Sequence, residues 1–283
     1  MTNLLRKLET YYRLGLGNAA SVLAYRLQLR NRHFIKSLPI ASPLKCDDFF
    51  TPSNAPTQGV ERLRTLSTFG SKEVDLGQPP NWHASVINNK VIENNATHWS
   101  ELDDFSLNIG DIKGVWELSR MDWLLHFSIN YLATGNEENL ARLNQWLADW
   151  IKNNPCNQGV NWKCGQEASI RVIHLVLTAQ LLQQYEQANT ALLTIVEQHL
   201  QRIAPTLSYA KAQDNNHGTS EAAALFIGGL FLSANKTNSQ YLHWVKKGRN
   251  LLENRVFRLI DVDGNFSQNS VNYHRLMLDT LSI

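Results

Sequence analysis

The stretch "KGVWELSRMDWLLHFSINYLATGNEENLARLNQWLADWIKNN", residues 113–154, decides the fold class. Its apolar residues recur at intervals of three and four, which is the spacing of one helical face. Gly135 and Asn136 interrupt this pattern and are typical of a helix end followed by the N-cap of the next helix. Pro155 follows directly and favours a stop there. The stretch therefore predicts two helices, over residues 113–135 and 136–154.

Further stretches downstream show the same helical periodicity and almost no strand alternation. They cover residues 166–185, 189–210, 218–233 and 239–260, and "NYHRLMLDTLSI" begins another helix at the end of the chain. Successive helical hairpins predict an all-α fold, an incomplete (α/α) toroid. We assign this toroid domain to residues 111–283 and expect it to be truncated at its C-terminus, since the last helical pattern reaches Ile283 without a cap.

Two segments of different character precede the helical array. Residues 1–36 carry seven Lys or Arg against one acid and predict a basic helical segment. This segment would either pack on the body or make contact with an anionic membrane surface. Residues 37–110 hold six of the eight prolines and predict an irregular wrapping segment. No stretch resembles a signal peptide, so we expect a cytoplasmic or inner-membrane peripheral location.

Composition excludes several classes of function. The formal net charge is only +2, and outside residues 1–36 the chain is slightly acidic, so we expect no nucleic-acid partner. The three cysteines have no CxxC spacing, and no HExxH motif is present, so we predict no metal site and no cofactor. Phosphate-binding glycine loops and GxSxG elbows are absent as well. The sequence leaves the oligomeric state open.

Two polar stretches are the candidate site. "AKAQDNNHGTSEAAALFIGGLF" (210–231) crowds hydrogen-bonding side chains at a helix entrance, and "DVDGNFSQNSVNYHR" (261–275) ends in a tyrosine and a histidine. The donors Asn216 and His217, beside a helix N-terminus, suit a sugar carboxylate, because they would stabilise the charge that develops when the proton alpha to it is removed. Tyr273 is the candidate proton carrier, and His274 and Arg275 would supply positive charge beside it.

Two acid–base pairs are further candidates. Glu117 and Arg120 are spaced i, i+3, and Glu167 and Arg171 are spaced i, i+4 shortly after Trp162. Each pair is either a structural ion pair or a means of holding an arginine ready for a substrate carboxylate. Glu221 lies four residues after His217, a spacing that would let its carboxylate orient the imidazole.

Four motifs together resemble the heparinase II/III-like polysaccharide lyases, over roughly residues 75–283. They are "VWELSRMDWLLHFSINYLATGNEEN", "NPCNQGVNWKCGQEASIRVIHLVLTAQLL", "NNHGTSEAAALFIGGLF" and "DGNFSQNSVNYHRLMLDTL". The resemblance implies an α/α toroid that is normally followed by a β-sandwich domain, in which a metal is possible. One departure is "SQNS", where the family usually has a pattern such as E-G-S.

The resemblance also implies an activity, which is β-elimination on an acidic polysaccharide that contains uronic acid, in capsule or exopolysaccharide systems. By position, Asn216 and His217 match the pair that neutralises the carboxylate, and Tyr273 matches the catalytic tyrosine. The residues expected to line the cleft are Arg120, Trp162, Glu167 and Arg171, with His274 and Arg275 beside the tyrosine. Two alternatives stay open: a non-catalytic glycan-binding or scaffold module, and an inverting glycoside hydrolase using Asp214 and Asp263.

Overall fold

The computed structural model describes residues 15–46, 48–53, 60–93, 95–103, 109–268 and 270–283. Its helices are α1 Leu16–Arg30, α2 His33–Ser37, α3 Lys113–Ser119, α4 Asp122–Thr134, α5 Glu137–Asn153, α6 Gly165–Leu181, α7 Thr190–Ile203, α8 Leu207–Ala212, α9 Asn216–Asn235, α10 Ser239–Leu259 and α11 Val271–Leu281. Short 3-10 turns occur at Trp99–Glu101, Val160–Trp162 and Ala204–Thr206. The strands β1 (Ser67–Thr68) and β2 (Lys72–Glu73) form an antiparallel pair. The predicted all-α fold is confirmed.

The helices form two layers. Each of α4, α6 and α9 packs against the helix that follows it, α5, α7 and α10 respectively. In addition α4 contacts α6, α6 contacts α9, and α9 contacts α11, so these four helices are successive neighbours in an inner layer. Inner helices α6 and α9 are buried on nearly all sides, whereas α5 and α7 have one apolar face and one polar face. This order of contacts is the one expected for an arc of an α/α toroid.

Two predicted helices are broken in the structure. The helix predicted over 113–135 ends at Ser119 and restarts at Asp122, because the buried Met121 adopts a left-handed conformation (φ 70°) that turns the chain. The helix predicted over 189–210 ends as α-helix at Ile203, where Pro205 has no N–H to continue the ladder. Gly135 and Asn136 do form the predicted boundary, as the left-handed C-cap of α4 and the N-cap of α5.

The segment over 37–110 is largely irregular where it is described, and it lies against the helical body. The backbone N–H groups of Phe49 and Phe50 donate to Asn144 Oδ1, and Trp82 Nε1 donates to Asp149 at 2.7 Å. Part of this segment lies outside the described residues, as do residues 1–14 of the predicted basic segment. The remainder of that basic segment forms α1, which packs on α8 through Tyr25, stacked on Tyr209 at 4.0 Å between ring centroids.

Tryptophan supplies much of the core. Trp82, Trp123 and Trp146 pack around one another with Phe127 in the same cluster. Seven of the eight tryptophan side chains are buried. They therefore stabilise the protein through the large apolar area that they remove from water, and they offer no stacking surface to a ligand.

Candidate functional site

The N-termini of three inner helices meet at one end of the protein. Asn216, the first residue of α9, donates from Nδ2 to Oε1 of Gln166 at the start of α6, over 2.6 Å. Its backbone N–H donates to Oε1 of Gln268, in the loop that leads into α11, over 3.0 Å. The longer loops therefore emerge at one end, as the sequence predicted. Because each helix N-terminus carries partial positive charge, this end favours an anion.

The amide of Asn216 is held in a fixed orientation. Asn216 is 3% exposed, and Gln166, which accepts from its side chain, is 7% exposed. An asparagine amide has two hydrogens on Nδ2, and Gln166 takes one of them. Among the described residues the second hydrogen has no acceptor, so it can serve as a donor to a ligand. The preceding Asn215 caps α9 by accepting from the backbone N–H of His217 at 3.0 Å, so α9 starts two residues earlier than predicted.

His217 is oriented from behind by a carboxylate. Its Nδ1 lies 3.4 Å from Oε1 of Glu221, one helical turn along α9. Because a carboxylate accepts hydrogen bonds, a proton on Nδ1 would point to Glu221, and Nε2 lies on the opposite side of the ring. The side chain of His217 is 27% exposed, while that of Glu221 is 3% exposed. The structure therefore supports the predicted orienting contact and presents His217 at the surface.

Gly165 makes room for that carboxylate. A Cβ at position 165 would lie 2.7 Å from the carboxyl atoms of Glu221, which is closer than atoms can approach. The Oε2 atom of Glu221 is buried and has no hydrogen-bond partner among the described residues. Glu221 is thus pressed between the start of α6 and the imidazole of His217. A side chain at position 165 would displace it.

Arg120 bridges two carboxylates at the corner between α3 and α4. Its Nε and Nη2 donate to the two carboxyl oxygens of Glu167 at 2.8 and 3.1 Å, and Nη1 donates to Glu117 at 2.7 Å. Burial by itself would lower the pKa of Arg120, but the two carboxylates outweigh burial and raise that pKa. Since Glu167 directly follows Gln166, this ion cluster lies next to the residue that accepts a hydrogen bond from Asn216.

Arg171 and Trp162 lie in the core, which is not where a cleft-lining role would place them. Both are at most 1% exposed. Arg171 donates to His199 Nε2 at 2.9 Å and to the carbonyl oxygen of Asn161 at 2.7 Å, with its guanidinium near the rings of Trp150 and Trp162. The predicted ion pair between Arg171 and Glu167 does not form, because Glu167 binds Arg120. Neither side chain has surface for a substrate, so both belong to the core.

The catalytic role of Tyr273 stays a prediction, and the structure places this residue in the first turn of α11. The helix contacts α9, and the Tyr273 side chain is half-buried against Leu259, Phe266 and Met277. It follows Gln268, the partner of Asn216, by five residues. The two predicted stretches therefore do come together.

The neighbours of Tyr273 have different surroundings. His274 is half-buried, and its backbone N–H donates to the carbonyl oxygen of Ser270. The side chain of Arg275 is 82% exposed and lies 3.8 Å from Asp279 on the next turn. Arg275 thus faces solvent beside a carboxylate, and nothing in these contacts directs its charge to Tyr273.

A cluster of charges fixes the turn before Asn216. Asp214 adopts a left-handed conformation and accepts from Arg255 at 2.6 Å and from Arg258 at 2.8 Å. Hydrogen bonds from Arg258, and then from Arg255, hold the pKa of Asp214 below its ordinary value. The two arginines hold Asp214 as an anion, so its carboxyl group is not the general acid of a glycoside hydrolase.

Sequence reasoning missed two glutamines and a glycine. Gln166 and Gln268 both contact Asn216, although they lie 50 and 52 residues from it along the chain. Gln166 stands beside the candidate Glu167, and Gln268 lies within the "SQNS" that departs from the family pattern. Gly165 showed no signal beyond its place before a predicted helix. Only tertiary contacts distinguish these three residues from ordinary polar or turn residues.

Two kinds of feature are absent from the described ranges. No group of three His, Cys, Asp or Glu residues there is arranged to hold a metal ion. No helix in that part of the chain is both long and apolar enough to cross a bilayer.

Comparison with protein families identifies the relationship. The model of the family described as Heparinase II/III N-terminus matches residues 79–282. This match covers more than half of the chain. The chain belongs to the heparinase II/III N-terminal family. The family's name points to polysaccharide lyases. No curated protein and no solved structure matched the chain.

Proposed function

We propose that this chain is the helical part of a polysaccharide lyase that cleaves a uronic-acid-containing polysaccharide by β-elimination. The observation that carries the proposal is the buried Asn216 amide, fixed by Gln166 where the N-termini of α6, α9 and α11 meet. Membership of the heparinase II/III N-terminal family supports it. We keep a cytoplasmic or inner-membrane peripheral location as a prediction.

The first requirement of the reaction is to stabilise negative charge on the substrate carboxylate. Removing the proton alpha to the carboxylate spreads the electron pair onto its oxygens, and donors aimed at those oxygens lower the barrier. The second amide hydrogen of Asn216 is a donor of this kind, and so is Nε2 of His217 in its imidazolium form, which carries a proton on each ring nitrogen; both lie beside the positive end of α9. Glu221 and Gln166 are positioning residues, since each acts through its neighbour.

The second requirement is proton transfer. A base takes the alpha proton, the carbon–carbon double bond forms, and the bond from the beta carbon to the glycosidic oxygen breaks with its electron pair. That oxygen then receives a proton, so atoms and charge balance. We assign the donation to the hydroxyl of Tyr273, which the first turn of α11 carries at the same end of the protein as Asn216.

The test is the ultraviolet absorbance of the unsaturated uronate product, which hydrolysis does not form. The chain, and the gene product carrying any sequence after Ile283, are incubated with a panel of uronate polysaccharides. We expect product with at least one of them, and its loss in Tyr273→Phe with binding retained. Tyr185→Phe is the matched control, because Tyr185 lies beyond the C-terminal end of α6.

The same experiment separates the alternatives. A glycan-binding module would bind the polysaccharide, give no product, and bind equally well after Tyr273→Phe. A glycoside hydrolase would release reducing ends without the ultraviolet signal. The engagement of Asp214 by Arg255 and Arg258 disfavours the hydrolase.

A further inference from the structure

A cationic groove lies beside the candidate site and is used by none of the chemistry above. It consists of two cavities of about 420 and 300 Å³ along the outer face of α10, which share Lys211 and Asn254 in their linings. Each volume lies in or at the edge of the range of about 300–1,000 Å³ that is usual for small-molecule sites. The first cavity runs between α8 and α10, and the second reaches the first turn of α1.

The charge of the groove has one sign. Among the described residues, its polar lining is mainly cationic and amide, with no carboxylate: Lys211, Lys247, Arg255, Arg258, Asn250 and Asn254. Asp214 binds both arginines from the side of α9, and Glu253, next to Asn254 in the sequence, is paired with Arg249. One carboxylate against four cations leaves an excess of positive charge. Since an excess of one sign in a concave surface attracts the opposite sign, the groove favours an anion.

The floor of the first cavity is apolar. Leu207 and Leu251 line it together with Lys211 and Lys247. An apolar floor with a cationic and amide rim matches a sugar residue, whose ring has an apolar C–H face and whose edge carries hydroxyl and carboxylate groups. A small inorganic anion would leave the floor unused. The groove therefore fits an acidic sugar better than a free phosphate or sulfate.

The groove and the candidate site are neighbours. Arg255 lines the second cavity, and its Cδ would lie 2.9 Å from a Cβ at Gly218, the residue after His217. Arg255 also holds Asp214, two residues before Asn216. From Lys247 to Arg258 the groove follows α10 for about 16 Å, at the helical rise of 1.5 Å per residue. A polysaccharide bound at Asn216 can therefore continue into the groove over a few sugar residues.

We propose that this groove binds acidic sugar residues of the same polysaccharide, away from the bond that is cleaved. The inference rests on the proposed function for its choice of ligand. On this proposal Lys211 and Lys247 determine which oligosaccharide length binds best, because a short oligosaccharide would fill the candidate site without reaching them. Charge-assisted hydrogen bonds from both lysines to sugar carboxylates would supply the added affinity.

The test measures binding rather than turnover. Fluorescence anisotropy of end-labelled alginate and heparin oligosaccharides, each as a disaccharide and as an octasaccharide, gives Kd at constant ionic strength. The double variant Lys211→Gln/Lys247→Gln should weaken octasaccharide binding roughly 3- to 30-fold, as expected for two partly screened ion pairs, and leave the disaccharide unchanged. Thermal unfolding checks that this double variant, and the control double variant described next, fold like the parent protein.

The matched control is Lys236→Gln/Lys246→Gln. It removes the same charge from exposed lysines of α9–α10 that do not line the groove. Equal weakening in the two doubles, or equal weakening for both oligosaccharide lengths, overturns the proposal. Selective weakening without any unsaturated product supports the groove and contradicts the lyase. Product formation with unchanged octasaccharide binding in the groove variant supports the lyase and contradicts the groove.

Discussion

Two arginines with similar sequence surroundings end in opposite environments. Arg120 in "WELSR" and Arg171 in "QEASIR" each follow a glutamate by one helical turn. At the α3–α4 corner Arg120 binds both Glu117 and Glu167, and the pKa of its guanidinium is raised. In the core, Arg171 donates to His199 and to the carbonyl oxygen of Asn161 instead of to a carboxylate, and burial lowers its pKa to about 10.

The difference shows that a helical pair can be overridden by a tertiary contact. Glu167 is the local partner of Arg171 by spacing, but an i, i+4 pair contributes only about 0.3–0.5 kcal/mol. Arg120 reaches the same carboxylate with two parallel hydrogen bonds at 2.8 and 3.1 Å. Arg171 is left with neutral acceptors and the faces of Trp150 and Trp162.

The largest expected effect comes from Arg120→Met. It leaves Glu167, whose side chain is 4% exposed, as a buried carboxylate without its cation. We expect the free energy of unfolding to fall by about 3–5 kcal/mol, as for other broken buried ion pairs. Urea unfolding followed by tryptophan fluorescence measures it.

A double variant is the control for this interpretation. Arg120→Met/Glu167→Gln removes the stranded charge and should recover part of the lost stability. If the double variant is as unstable as the sum of the two single variants, Arg120 and Glu167 are not coupled and the account of this corner is wrong.

Arg171→Met should be milder, although Arg171 is the more buried of the two. The change removes a charge that forms no ion pair with a carboxylate among the described residues, and it keeps most of the side-chain volume, at the cost of hydrogen bonds to His199 and Asn161. We expect a loss of about 1–2 kcal/mol in the same urea experiment. A loss as large as that of Arg120→Met would show that the two arginines are equivalent after all.

The fold could be predicted further from the sequence than the site could. Helical periodicity, Gly135 and Asn136 located most helices and their ends, because these signals are local. The break at Met121 could not be predicted, since a methionine in a left-handed conformation follows from how α3 and α4 pack. Likewise Asn216 was identified from its motif, whereas its partners Gln166 and Gln268 are remote in sequence and become visible only in the folded chain.

Asp214, with Arg255 and Arg258, forms a second ion cluster, which is partly exposed and should contribute less stability than the cluster around Arg120. Because Arg258 and Arg255 lower the pKa of Asp214 from its ordinary 3.8, its stabilisation is fully present above that value. It is lost as the pH falls below 3.8 and through the folded-state pKa. Asp214→Asn should therefore cost about 1 kcal/mol at neutral pH, after allowance for solvent screening, and should flatten the acid limb of the stability profile. An unchanged acid limb would contradict the assignment.

The most direct test of the central claim compares one polysaccharide in two forms, native and with its carboxyl groups reduced to alcohols. The carboxylate is what makes the alpha proton removable and what Asn216 and His217 are proposed to bind. Ultraviolet absorbance is followed while the protein acts on each form of a uronate polysaccharide that it binds. The account predicts the unsaturated product from the native form and none from the reduced form. Cleavage of both forms at equal rates, or binding of the native form with no unsaturated product, would contradict it.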